Sequence, residues 1–180
     1  IGAAMDFNAD HFTLFGLPRV FNVDLGVLDA RFREAQAQVH PDKFADASEG
    51  DRRLSMQWAT RVNEAYQALK KPLPRAHYLL HLAGQDVGAE NNTAMPVDFL
   101  MEQMEWREAV QEARQAGQVD ELEDLHFRLR DQIAERYAEL GALFDQQADY
   151  PAAADLTRRL MFLEKLQHDI DEALVALEDQ

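Results

Sequence analysis

The run His40-Pro41-Asp42-Lys43-Phe44 has the most specific chemistry in the sequence, because it places an imidazole, a carboxylate and an ammonium group next to one another. Pro41 ends the helix before it, since a proline has no N–H group and disfavours helical backbone in the preceding residue. His40 and Asp42 are therefore presented at an exposed turn. The simpler alternative is a proline-terminated turn in which Asp42 caps the element that follows.

Two other groups of side chains suggest metal binding. His77 and His81 are four residues apart and would share one face of a helix, but a third ligand is not evident. Glu123 and His126 form one Glu-x-x-His unit, whereas a di-iron bundle needs two such units and two further carboxylates. The sequence therefore predicts no metal site and no cofactor, and we expect most histidines and carboxylates to be surface groups.

The sequence contains no phosphate-loop, dinucleotide-binding or hydrolase-elbow motif, so it does not indicate an enzyme. Cysteine is absent, which excludes disulfides, thiolate metal sites and cysteine nucleophiles and fits a reducing compartment. No apolar run approaches the roughly 18 residues that span a bilayer. We expect a cytoplasmic protein with no membrane partner, whose native chain begins at Met5 after four extraneous residues.

The net charge of −15 lies entirely in the second half of the chain. Residues 1–84 carry 10 acidic and 10 basic side chains, whereas residues 85–180 carry 23 acidic and 8 basic side chains. Such a surface repels the phosphates of nucleic acids and anionic lipids. We therefore expect no nucleic-acid partner.

Helical spacing of apolar residues predicts two long helices around the His-Pro-Asp triplet. The first covers about 24–39 with Asp24 as its cap, and the second ends near Lys71, where prolines follow. Their stripes are Leu28, Phe32, Ala35 and Val39, and Trp58, Val62, Ala65 and Leu69. We expect a hairpin with the triplet at its tip, flanked by short helices around 12–17 and 75–83.

The second half predicts three more helices, at about 96–115, 119–145 and 152–177, which suggest an antiparallel bundle. Residues 85–94 contain Gly88, Asn91 and Asn92 and are typical of a joint. The expected fold is all-α: a helical hairpin in residues 5–84, a linker in 85–94 and a three-helix bundle in 95–180.

The helix that begins near Pro96 has apolar residues on two opposite faces. One face holds Phe99, Trp106, Val110 and Ala113, and the other holds Val97, Leu100, Met101 and Met104, flanked by Glu105, Glu108 and Glu112. Burying one such side chain is worth roughly 1.5–3 kcal/mol, so a second face left wet would forgo a large stabilisation. We predict that it meets a partner and that Phe162, outside the core stripe of the last helix, extends it. The alternative is burial of both features inside the protein.

The first half resembles the J-domain family, whose signature is a His-Pro-Asp triplet between two antiparallel helices. Asn63-Glu64-Ala65-Tyr66 and Leu69 match the second of those helices, and the resemblance covers about residues 9–72. It implies a site that docks on a DnaK-type chaperone and shifts that chaperone toward ATP hydrolysis. The implied chaperone-binding residues are His40, Pro41, Asp42 and Lys43, with Arg31 and Arg33 as a small basic contribution.

Nearly all of residues 5–177 is similar to the HscB family of J-domain co-chaperones. The segments that carry this likeness are Phe99-Leu100-Met101-Glu102-Gln103, Arg107-Glu108, Ala152-Ala153-Ala154-Asp155 and Phe162-Leu163-Glu164-Lys165-Leu166. The likeness implies a non-enzymatic adaptor that brings the iron–sulfur scaffold protein IscU to the chaperone HscA. The implied client-binding residues are Leu100, Met101, Met104, Glu105, Glu108, Glu112 and Phe162.

Two rival interpretations remain open at this point. One is a general J-domain co-chaperone that delivers unfolded chains, although a compact acidic bundle with a localised apolar patch suits one folded partner better. The other is an acidic interaction bundle whose hairpin tip is inert. The apolar patch could also pair two copies of the chain.

Overall fold

The computed structural model describes residues 6–88 and 96–179. These residues form seven α-helices and one 3₁₀ turn, and no strand occurs among them. The contacts divide the chain into two compact units, Ile1–Ala83 and Gly84–Gln180. The prediction of an all-α fold is confirmed.

The first unit consists of four helices and the 3₁₀ turn. They are α1 (His11–Leu14), α2 (Leu25–Val39), the 3₁₀ turn (Pro41–Phe44), α3 (Glu49–Lys70) and α4 (Pro72–Leu82). Helices α2 and α3 pack against each other as the predicted hairpin, and α1 and α4 both pack on α3. Asp24 caps α2 as expected, because its carboxylate accepts a hydrogen bond from the Val27 N–H group at 3.2 Å.

The apolar stripes of α2 and α3 form the core of this unit, with one exception. Leu28, Val39 and Val62 are completely buried, whereas Phe32 is only half-buried. Phe32 instead stacks on Tyr66 of α3, with ring centroids 4.0 Å apart. The Tyr66 hydroxyl also donates a hydrogen bond to Asp29 at 2.7 Å. This aromatic and polar contact therefore joins α2 to α3 at the edge of the core.

The second unit is the predicted three-helix bundle. Its helices are α5 (Val97–Gln115), α6 (Val119–Asp145) and α7 (Tyr150–Glu178). The most extensive contact is between α6 and α7, and α5 packs on both. Of the linker predicted at 85–94, residues 89–95 lie outside the described residues. In the described part, the Arg158 guanidinium on α7 donates a hydrogen bond to the Val87 carbonyl.

Two helices begin earlier than the prolines suggested. Helix α4 begins at Pro72 rather than near Arg75, and α7 begins at Tyr150 with Pro151 in its first turn. The first N–H groups of a helix have no partner within the helix, so a proline there loses nothing, and its fixed φ angle already suits the helix. These prolines end the preceding segment and start the next helix.

A buried hydroxyl holds the end of α2 against α3 at the tip of the hairpin. The Ser55 hydroxyl is completely buried and donates a hydrogen bond to the Val39 carbonyl at 3.2 Å. Val39 is the last residue of α2, and the carbonyls of the last helical turn have no partner within the helix. Pro41 ends the helix here, so no further helical turn brings an N–H group to the Val39 carbonyl, and Ser55 supplies a partner from the neighbouring helix.

Replacement of Ser55 by alanine should lower the free energy of unfolding by about 1 kcal/mol, because the buried Val39 carbonyl loses its partner. Urea titration followed by Trp58 fluorescence measures this, in a Trp106→Phe background where Trp58 of the first unit is the remaining tryptophan. Thr60→Ala is the matched control, since it removes an exposed hydroxyl that bonds the Met56 carbonyl on the same helix. A Ser55→Ala loss no larger than that of the control would contradict the assigned role.

The stability of the first unit should depend on pH through the protonation of His11. Its ring stacks on Tyr78 with centroids 4.2 Å apart. Burial lowers the pKa of His11, the Arg61 charge lowers it further, and Asp10 and Glu64 oppose this effect. The unfolded chain therefore binds a proton more readily than the folded one. The stabilisation that His11 gives to the folded state as a neutral ring is therefore complete above the unfolded pKa of 6.5 and is lost as pH falls below it.

The His11→Phe variant keeps the ring stack and removes the titrating group, so its free energy of unfolding should fall less than that of the wild type between about pH 7 and pH 5. The same Trp58 fluorescence assay at a series of pH values measures the difference. His81→Gln, which removes an exposed histidine of α4, should retain the pH dependence of the wild type. An unchanged pH dependence in His11→Phe would refute the prediction.

Candidate functional site

The His-Pro-Asp triplet forms a turn that is capped by its own histidine. The Nδ1 atom of His40 accepts a hydrogen bond from the Asp42 N–H group at 3.2 Å, and the His40 carbonyl accepts one from Lys43 N–H at 3.0 Å. Because Nδ1 is an acceptor, its position 3.6 Å from the Asp42 carboxylate is proximity rather than an ion pair.

Asp42 does not act as a helix cap. His40 caps the 3₁₀ turn, and Ser48 caps α3 by accepting a hydrogen bond from Asp51 N–H at 3.2 Å. The side chain of Asp42 is 93% exposed and that of His40 is 53% exposed. The alternative in which Asp42 caps the element that follows is therefore wrong. The side chains of His40 and Asp42 are both accessible to another molecule.

The basic side chains near the hairpin differ in whether they contact other parts of the first unit. Lys43 and Arg33 are exposed. The guanidinium of Arg31 lies over the turn after α1, where a Cβ atom on Gly16 would come within 2.9 Å of it. Gly16 has a φ of 63°, so this turn favours glycine for its backbone as well. Arg61, which could have added to the basic surface, instead donates a hydrogen bond to the Ala9 carbonyl at 2.9 Å.

The two apolar faces of α5 have opposite environments. Phe99 and Ala113 are 2% and 1% exposed, and Trp106 and Val110 are also buried. On the other face, the exposed fractions are 72% for Val97, 43% for Leu100, 56% for Met101 and 70% for Met104. The bundle therefore covers one face and leaves the other open, and the alternative of complete burial within the bundle is wrong for these four residues.

Phe162 of α7 packs against side chains of α5. The Phe162 ring is half-buried and meets the Phe99 ring at 5.9 Å between centroids and at 89° between planes. The Arg107 guanidinium lies 5.2 Å from the Phe162 centroid. Sequence reasoning named Phe162 but missed this contact with Arg107. We call the predicted client-binding set the α5–α7 patch: Leu100, Met101, Met104, Glu105, Glu108, Glu112 and Phe162.

The carboxylates of the α5–α7 patch are exposed. Glu105, Glu108 and Glu112 lie on α5 at spacings of three and four residues, which place them on one side of the helix. They border the exposed apolar residues in a unit with a large excess of acidic side chains. The patch thus combines accessible apolar side chains with an acidic rim, the combination that a protein–protein contact uses.

Neither the His77–His81 pair nor the Glu123–His126 unit belongs to a group of described residues that could hold a metal ion. His77 is half-buried, with a pKa lowered by burial, and His81 is exposed. Nδ1 of His126 lies 2.8 Å from the carboxylate of Asp171. Across residues 6–88 and 96–179, no group of three or more histidine or acidic side chains could hold a metal ion. No helix in these ranges is long and apolar enough to cross a membrane.

Comparisons with known proteins agree along nearly the whole chain. Residues 95–171 match the family model described as the HSCB C-terminal oligomerisation domain. The co-chaperone protein HscB homolog of Azoarcus sp. (strain BH72) is 58% identical over 98% of this chain and 99% of its own length.

Solved structures show the same likeness. The chaperone HscB from Vibrio cholerae is 37% identical, covers 94% of this chain and 99% of its own, and superimposes with a TM-score of 0.82. Human co-chaperone protein HscB is 28% identical, covers 93% and 83% of the two chains, and gives a TM-score of 0.85. By sequence identity over its full length, by its all-helical fold and by its His-Pro-Asp hairpin, this chain belongs to the HscB family of J-domain co-chaperones.

Proposed function

We propose that this co-chaperone stimulates ATP hydrolysis by an HscA-type chaperone of the DnaK class and delivers to it an IscU-type iron–sulfur scaffold protein. In this proposal residues 5–84 act as the J-domain, residues 95–180 bind the client and residues 85–94 link them. The protein is a cytoplasmic adaptor without a catalytic site of its own. The observation that carries the proposal is that the first unit exposes the His40-Pro41-Asp42 turn and the second exposes apolar side chains of α5.

The chaperone-binding site is the tip of the hairpin. His40 and Asp42 are exposed, and the backbone of the turn is fixed by its own hydrogen bonds and by the Ser55 contact with Val39. A surface whose geometry is set before binding loses less conformational entropy on association. Lys43 and Arg33 add exposed positive charge for an acidic surface on the chaperone, with Arg31 held partly against the neighbouring turn.

The client-binding site is the α5–α7 patch. Leu100, Met101 and Met104 lie on α5, whose opposite face is buried in the bundle, and Phe162 lies on α7. An isolated set of exposed leucine and methionine side chains with an acidic border suits a single folded partner that has matching basic groups. A co-chaperone for unfolded chains in general would be expected to have a deeper, adaptable groove, and that function is the alternative that the experiments below test.

His40→Gln should abolish stimulation of the chaperone ATPase, because the exposed imidazole of the turn is the group that docks. Single-turnover ATP hydrolysis by a purified HscA-type chaperone measures it, with this protein and the scaffold added separately and then together. His81→Gln, an identical change at another exposed histidine of the first unit, should stimulate like the wild type. Full stimulation by His40→Gln would mean that the tip is inert.

Leu100→Ala and Phe162→Ala should each weaken scaffold binding roughly tenfold, since central apolar side chains contribute most of the energy of such contacts. Isothermal titration calorimetry measures the affinity, and the same variants should lose the synergy between this protein and the scaffold in the ATPase assay. Phe127→Ala is the matched control, because Phe127 is 51% exposed elsewhere on the bundle. Stimulation by the wild type that the scaffold leaves unchanged would favour a general co-chaperone instead.

A further inference from the structure

Four side chains from two helices of the bundle form a continuous stack around Phe162. The Arg159 guanidinium lies 4.9 Å from the Phe99 ring centroid, the Phe99 and Phe162 rings meet at right angles, and the Arg107 guanidinium lies 5.2 Å from the Phe162 centroid. Arg159 also lies 3.8 Å from the Asp98 carboxylate. Arg159 and Phe162 belong to α7, whereas Phe99 and Arg107 belong to α5.

Each contact in this stack has favourable electrostatics. The face of an aromatic ring is negative and its edge is positive, so perpendicular rings attract and a cation is attracted to a face. Phe99 is 2% exposed and is fixed by the core. Phe162 is only half-buried, so the core leaves part of its ring uncovered. The Arg107 guanidinium lies over this ring.

The sequence of α5 leaves Arg107 available for this contact. Residues three and four positions away on a helix are the neighbours with which an arginine pairs. For Arg107 these are Gln103, Met104, Val110 and Gln111, none of which carries a charge. The many carboxylates of α5 are thus badly placed to draw the guanidinium away from Phe162.

We propose that Arg107 is a positioning residue for the α5–α7 patch: its guanidinium holds Phe162 against Phe99 and thereby fixes the orientation in which the patch presents that ring. The positioning stands on the contacts within the bundle. Its consequence for binding rests on the proposed client role of the patch, because a ring already held in place loses less conformational freedom when a partner docks.

The first test measures the position of the ring without any client. In protein with labelled phenylalanine, proton–proton NOEs between the Phe99 and Phe162 rings report their contact, with Phe162→Leu used to assign the signals. Arg107→Met, which keeps an apolar cover and removes the cation, should weaken these NOEs, and Arg107→Lys should restore them in part. Arg114→Met is the matched control, because Arg114 is exposed and lies two helical turns further along the same face. Wild-type NOEs in Arg107→Met would overturn the proposal.

The second test asks whether Arg107 acts through Phe162. Arg107→Met should weaken binding of a purified IscU-type scaffold by roughly two- to fivefold, and this effect should vanish in a Phe162→Leu background. An equal loss in both backgrounds would show that Arg107 contacts the client directly and would overturn the positioning role. If the wild type binds no scaffold at all, the proposed function fails, whereas the NOE experiment still decides whether Arg107 positions Phe162.

Discussion

A helix in a three-helix bundle can bury only the face that points toward its two neighbours, and α5 has apolar residues on two faces. The bundle covers Phe99, Trp106, Val110 and Ala113, so the opposite face stays in solvent. Several exposed leucine and methionine side chains are costly in water, which makes this face available for a partner. The exposed apolar face, which we propose as the client-binding surface, is thus a consequence of how the bundle is packed.

The hairpin tip is subject to a different constraint. Pro41 stops α2, so no further helical turn brings an N–H group to the carbonyl of Val39, which needs a partner from outside its own helix. The buried hydroxyl of Ser55 is that partner, and His40 caps the turn that follows. Polar groups of the backbone are therefore satisfied without using the Asp42 carboxylate, which remains free for contact with another protein.

The two units also differ in charge, and each charge suits the partner that we propose for that unit. The first unit is neutral overall but has exposed basic side chains near the tip, whereas the second is strongly acidic around an apolar patch. Oppositely charged partner surfaces at the two sites would increase the rate of association and disfavour wrong pairings. This separation agrees with one protein that contacts a chaperone and a client at different places.

Much of the molecule followed from the sequence alone. Helical spacing, the Asp24 cap and the proline breaks predict an all-α chain with a hairpin and a three-helix bundle. The spacing of apolar residues in α5 likewise predicts that they lie on two faces of the helix. These properties follow from the sequence because they depend on residues that are close along the chain. The predicted first residues of the helices that begin at Pro72 and Tyr150 were wrong by a few residues, because a proline can stand in the first turn of a helix.

Other properties were decided only by the tertiary structure, because they join residues that are far apart in sequence. Periodicity could not exclude burial of both apolar faces of α5, and packing against α6 and α7 covers only one of them. The contact between Ser55 and Val39 and the cover of Arg107 over Phe162 likewise depend on distances between helices. Local sequence sets which face a side chain occupies, but the approach of a second helix sets what that side chain touches.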